Sequence, residues 1–235
     1  MKTSRNTAFT LIELLVVISI IAILASLALP VFSQVQERGQ QTKALNNARQ
    51  VGLACKLFAQ DYNGSYPMYT DPVTKQGQAS DASEALQTLV PDYIPDKGVF
   101  SIPKSAYCKN SGRSGTKPTE LGPGENEWAY VVGLSDTSNA RFPLIADGFA
   151  QGGNYYIDQD DQPGGVWKGK KAVVVRVDTS ANVETCYKPP SGGGEGAKYT
   201  VKRDDDPTKN AFDKEAGGTT PWLNGKDVQI LNPKL

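Results

Sequence analysis

Residues 9–32 read Phe-Thr-Leu-Ile-Glu-Leu-Leu-Val-Val-Ile-Ser-Ile-Ile-Ala-Ile-Leu-Ala-Ser-Leu-Ala-Leu-Pro-Val-Phe, and no charge occurs from Leu14 to Gln36. Roughly 20 apolar residues suffice for a helix to cross the hydrocarbon of a bilayer, so this run has the length of a membrane span. Lys2 and Arg5 precede it and no acid does. That asymmetry predicts that the front end stays cytoplasmic and the rest is sent outward. Glu13 is the anomaly. A secretory signal peptide has an apolar region of about 7–15 residues, shorter than this one, although Ser26-Leu27-Ala28 has the small residues of a cleavage site. An ordinary anchor explains the length but not Glu13, because an acid inside an apolar helix costs about 2.5–3.5 kcal/mol on insertion scales. A buried core helix is seldom so uniformly apolar.

The order Ala8-Phe9-Thr10-Leu11-Ile12-Glu13, then the apolar helix, then Pro30, resembles the N-terminal segment of type IV prepilins and type II secretion pseudopilins. The resemblance implies that a membrane peptidase removes residues 1–8 by cutting between Ala8 and Phe9. It implies methylation of the new terminus at Phe9, retention of Glu13 for assembly, and helix softening at Pro30. The family usually has Gly before the cut, where this chain has Ala8. The physics of Glu13 fits that role. A lone carboxylate in hydrocarbon needs a cation, and the α-amine of a neighbouring subunit's Phe9 would supply one. Removing one member of a buried pair typically costs about 3–5 kcal/mol, so such a pair would set the axial register of a polymer.

The remaining composition narrows the function. A chain of 235 residues is sized for one globular head behind the anchor. Lys+Arg and Asp+Glu number 25 each, and losing Lys2 and Arg5 with the leader leaves a near-neutral chain, so no nucleic-acid partner is predicted. The absence of histidine removes the commonest general base, metal ligand and triad member, and no motif points to an enzyme. Of three cysteines, Cys108 and Cys186 lie in the head and Cys55 on a helix. In an oxidising exported compartment a Cys108–Cys186 disulfide is one expectation, and buried unpaired thiols are the other.

Taken in order, residues 9–62 read as one helix. Beyond the apolar half, Leu45, Ala48, Gly52, Cys55, Ala59 and Tyr62 recur at steps of three and four, the stripe of an amphipathic helix. Asn63-Gly64 should end it, and bending is expected near Pro30 and Gly39. Residues 64–82 read as a polar connection. A short helix over 83–93 is capped near Asp81 or Ser83 and stopped by Pro91. The stretch Leu45 to Tyr93 also resembles the heads of G-class major pseudopilins. Strand patterns follow at 99–102, 126–134 (Trp128, Tyr130 and Val132 alternating), 144–146, a hairpin of 172–177 with 182–187, then 199–201 and 227–231. The expected fold is α+β and pilin-like: a long N-terminal helix, half transmembrane and half amphipathic, packed on a small antiparallel sheet with long loops. Its divisions are a leader (1–8), a transmembrane and filament-core half-helix (9–36), and a head carrying the amphipathic half (37–235).

Few other residues suggest chemistry. Asp158, Asp160 and Asp161 form a loop set suited to calcium, with a solvated acidic turn as the plainer reading, and Asp204-Asp205-Asp206 is similar. Gly192 to Gly196 lacks the Lys-Ser/Thr of a phosphate loop and reads as linker, and 148–153 reads as a turn. No other cofactor is expected. The expected function is a structural filament subunit, first as a type II secretion pseudopilin driving protein export. The second reading is a type IV pilin for adhesion, motility or DNA uptake, and the third a membrane-anchored binding protein that never polymerises. Implied partners are copies of the same chain, the prepilin peptidase and methylase, an inner-membrane assembly platform, minor pseudopilins or pilins, and membrane lipid before assembly. The implied location is the inner membrane in a single pass with a periplasmic head, then a filament in the periplasm or at the cell surface.

Overall fold

The computed structural model describes residues 10–109, 120–189, 198–215 and 222–235. Two compact units meet at Gln40/Gln41, and helix α1 (Leu11–Asp61) belongs to both. In the first unit the large apolar side chains from Leu11 to Val35 are exposed, and Pro30 lies inside the helix.

In the second unit, α1 buries Ala44, Asn47, Ala48, Val51, Gly52, Ala54, Cys55, Phe58 and Ala59. The face is built mostly of small residues, and the reason is distance. A Cβ added to Gly52 would lie 2.8 Å from Val175 Cγ1 and 3.9 Å from Ile145 Cδ1. The helix therefore ends its turn directly on the sheet, and only glycine fits there. After Asp61 the chain leaves the helix with Asn63 and Gly64 at positive φ, and the Gly64 amide donates to the Ala59 carbonyl at 2.7 Å. This is the left-handed termination that Asn63-Gly64 predicts.

The central sheet has five strands: β3 (Trp128–Val132), β4 (Pro143–Asp147), β5 (Lys171–Arg176), β6 (Ala181–Thr185) and β7 (Gln229–Leu231). Every pairing is antiparallel and the spatial order is β6-β5-β4-β3-β7. The last strand thus returns to lie beside β3, with Val131 opposite Ile230. The expected hairpin is present, with Val173 opposite Val183 and Val175 opposite Ala181. Successive side chains point to opposite faces of a sheet, yet β3 and β4 are buried at every residue. Both faces are therefore covered. Phe149, Phe212, Trp222 and Leu223, from the long irregular segments, belong to the same core as the helix-facing residues.

Three expectations change. Residues 99–102 are not a strand: a 3-10 helix spans Lys97–Phe100, capped by Asp96, whose carboxylate accepts from the Gly98 amide. Its carbonyls serve other elements, since Trp128 Nε1 donates to Val99 O at 2.8 Å and Asn47 Nδ2 to Gly98 O at 3.4 Å. The short helix α2 (Ala82–Gln87) has its cap at Asp81, as expected, but stops well before Pro91. There the Thr88 hydroxyl takes the Ala85 carbonyl, the local competition that makes Thr a poor helix interior. Within 64–82 a two-stranded ladder joins β1 (Tyr69–Asp71) to β2 (Gln76–Gln78), with Asp71 Oδ1 accepting from the Val73 and Thr74 amides in the turn. These strands are short and nearly all exposed, so no apolar alternation announces them.

Two acids lie inside the head. Asp147, at the end of β4, is 0% exposed. Its Oδ2 accepts from Trp167 Nε1 at 2.9 Å and from the Val173 amide at 2.6 Å, and its Oδ1 has no partner among the described residues. Glu127 is 1% exposed and accepts from the Ser105 hydroxyl. Burial pushes Asp147 up to about 7, and burial with the nearby Asp147 charge raises Glu127 well above the usual carboxylate range.

Two outcomes follow from this packing. Gly52→Leu should destabilise the head by about 1–3 kcal/mol, the usual cost of overfilling a packed core, read by thermal or denaturant melting of the detergent-solubilised chain. The second concerns pH. An acid whose folded pKa is raised stabilises the fold below its unfolded pKa, near 4, and that contribution is lost as pH rises through the folded value. Head stability should therefore fall between about pH 4 and pH 7, by a few kcal/mol for Asp147, and Asp147→Asn should flatten that slope in denaturant titrations across the range.

Candidate functional site

The N-terminus of α1 is closed by two residues that hold each other. Thr10 donates to Glu13 Oε2 twice, from its amide at 2.9 Å and from its hydroxyl at 2.8 Å. The Glu13 amide returns a bond to Thr10 Oγ1 at 3.3 Å. This is the reciprocal capping box, which satisfies amides left over at a helix start. The carboxylate also sits at the positive end of the helix dipole. Reading Glu13 as a lone acid therefore missed a local partner. The signal was in the sequence, since Thr-x-x-Glu ahead of an apolar run is the pattern of this cap. Ala8 and Phe9, expected to flank the cut, lie outside the described residues.

Behind the cap, the serines of the apolar helix are satisfied within it. Ser19 donates to Leu15 O at 2.8 Å, Ser26 to Ile23 O at 2.8 Å and Ser33 to Leu29 O at 3.0 Å. Such internal bonding is what hydrocarbon demands of a spanning helix. Pro30 has no amide to offer the carbonyl four residues before it, that of Ser26. The helix is long and apolar enough to cross a membrane by length and composition. Its exposed surface needs cover from lipid or from other apolar helices.

The other sequence candidates take structural roles. Asp160 pairs with Lys168 at 3.0 Å, and that ammonium holds its carboxyl below the usual range. Asp158 and Asp161 line a surface hollow with Gln159 and Gln162. The three acids do not converge, and among the described residues no group of three or more acid, Cys or His side chains could hold a metal ion. The Asp204–Asp206 run is divided among cations. Asp204 takes Arg176 in a two-point fork at 2.9 Å each, Asp205 takes Arg203, and Asp206 caps Thr208. Cys108 and Cys186 are not bridged. Both are buried thiols, as is Cys55, and burial pushes each up to about 12. Cys108 lies in the turn after the 3-10 helix with its sulfur toward Phe100 O, while Cys186 follows β6. Residues 192–196 lie outside the described residues.

Comparison with known proteins bears on the first of these features. The family model described as the prokaryotic N-terminal methylation motif matches residues 3–29, which contain the Thr10–Glu13 cap. The type IV major pilin protein PilA of Myxococcus xanthus (strain DK1622) is 46% identical over 54 residues, covering 23% of this chain and 24% of that pilin. The likeness thus spans about a quarter of either protein. No solved structure matches the chain. Behind its long helix the chain builds an antiparallel-sheet head in an α+β, pilin-like organisation, and its N-terminal segment is similar to those of type IV prepilins and pseudopilins.

Proposed function

We propose that this chain is a structural filament subunit. The carrying observation is the methylation-motif segment, with its Thr10–Glu13 cap, heading an apolar helix whose surface is left uncovered. In this reading the leader is cut between Ala8 and Phe9 by a prepilin peptidase, which also methylates Phe9. The subunit waits in the inner membrane with its head in the periplasm, then joins a polymer through residues 9–36. The cap explains how Glu13 tolerates the membrane before assembly, since its charge already accepts two donors. In the polymer the α-amine of a neighbouring Phe9 adds the cationic partner that fixes register. The role is mechanical and needs no catalytic group.

The finer use has two forms. A type II secretion pseudopilin is supported by the likeness of Leu45 to Tyr93 to G-class heads. A surface type IV pilin is supported by the relative that carries that description. Deleting the chain separates them. Loss of protein export with surface pili intact marks the pseudopilin, and loss of pili with export intact marks the pilin.

Mass analysis of the protein from its native membranes should give a chain starting at Phe9 with one added methyl group. A start at Met1 would remove Glu13's proposed partner, and a start near Leu29 would mean ordinary secretion. Glu13→Ala should abolish filaments. Thr10→Ala should weaken the helix start by about 0.5–2 kcal/mol and reduce filament yield without abolishing it, scored by electron microscopy of sheared filaments.

A further inference from the structure

On one side the head sheet ends in a strand whose outward backbone groups are unpaired. β6 pairs with β5 without a register shift, from Lys171 opposite Thr185 to Val175 opposite Ala181. Bonded and non-bonded pairs alternate along an antiparallel ladder. The Arg176 amide donates to Ser180 O at 2.9 Å and the Cys186 amide to Lys170 O at 3.1 Å, so Asn182 and Glu184 are the residues of β6 bonded to β5. The amides and carbonyls of Ala181, Val183 and Thr185 therefore point away from β5. Among the described residues none of them bonds to any other segment. The next outward residue, Tyr187, shows what this edge accepts: it exchanges both backbone bonds with Thr200, at 2.9 Å each, in an antiparallel bridge. The chain then turns off, with Lys202 bridging Asn210, and leaves 181–185 open.

Natural sheets blunt such edges with lysine, proline, a bulge, a very short strand or a covering element. The opposite edge does so. β7 is three residues long, and Asn232 O just beyond it accepts the Ala82 amide at the start of α2. β6 has five residues, Ala-Asn-Val-Glu-Thr, with no lysine, proline or bulge. Its own sequence selects the partner. In an antiparallel pairing of β6 with a second β6 centred on Val183, Val183 faces Val183 and Ala181 faces Thr185. Every outward amide then meets an outward carbonyl, and Glu184 faces Asn182. A register centred on Glu184 would oppose two like charges, which destabilises a strand pair. One centred on Asn182 would set Thr185 against the turn at Thr179. Only the Val183 register uses the whole edge without opposing charges. Ala181 and Val183 are already partly buried against the core, and a second strand extends that cover.

We propose that β6 is the docking edge for a second copy of this chain, the two strands pairing antiparallel about a two-fold axis at Val183 and joining their sheets into one. Such a contact is isologous and closes at two copies. It links heads in pairs and is separate from packing through the apolar helix. The test uses the full-length chain in detergent, with single cysteines introduced and oxidised by copper phenanthroline. Residues of a bonded antiparallel pair lie about 5.5 Å apart at Cα, within reach of a disulfide. Val183→Cys should therefore cross-link to itself. Thr185→Cys alone should not, because its two copies would lie about 14 Å apart along the strands, whereas a mixture of Thr185→Cys and Ala181→Cys should. The native thiols are buried, and the wild type sets the background. Adding Thr185→Pro to Val183→Cys removes an outward amide but no bond to β5, and should lower the cross-linked fraction about tenfold. Thr185→Ala, which keeps the amide, should leave it unchanged. No cross-link above background at Val183→Cys would overturn the proposal and leave the edge to a strand of another protein. Equal self-cross-linking at Val183→Cys and Thr185→Cys would overturn it too, since random collision gives that pattern.

Discussion

Gly52 sets how near the sheet lies to the helix, and much of the head follows from that distance. With Val175 Cγ1 at 2.8 Å from where its Cβ would be, the helix can present only small residues at the centre of contact. Ala44, Ala48, Ala54 and Ala59 provide them on the same buried face. The larger core side chains then come from the sheet and the loops, among them Trp128, Tyr130, Phe149 and Phe212. Apart from Val51 and Phe58 the helix supplies little bulk, and β3, β4 and β5, which supply much of it, are almost wholly buried.

Covering the sheet's second face falls to segments with little regular structure. They hold themselves by polar contacts that regular elements do not need. Arg176 and Arg203 each gather two carboxylates, and the acids so used are Glu184 and Asp204 for the first and Asp205 and Glu215 for the second. Paired in this way at the edge of the core, the charges fix loop positions. Asp147 and Glu127 are the opposite case, buried acids with hydroxyl, indole and amide donors instead of a cation. A carboxyl group in such surroundings favours its protonated form.

At the other end, Thr10 and Glu13 do for the helix start what Asn63-Gly64 does for its end. In the proposed filament the same carboxylate would serve two partners in turn: the Thr10 amide and hydroxyl hold it within the chain, and the amine of another chain would be added on assembly. Among the described residues the large apolar side chains of the helix behind it, from Leu11 to Val35, are exposed, and the proposed filament would cover them.

The sequence alone determined the helix and its two ends, the small-residue stripe, the β5–β6 hairpin and the prepilin-like front. Each of these is written in local terms, as apolar length, a three-to-four repeat, period-two alternation or a four-residue cap pattern. It also held the Thr10–Glu13 box, although reading Glu13 for its charge alone passes over it. Only the tertiary structure decided the rest. Residues 97–100 wind into a 3-10 helix because Asp96 caps them and their carbonyls serve Trp128 and Asn47, partners far off in sequence. The final strand pairs with β3, Asp204 and Asp205 go to arginines, and Cys108 and Cys186 stay apart as buried thiols. Contacts between distant residues depend on how the chain is brought together, and local periodicity carries no record of that.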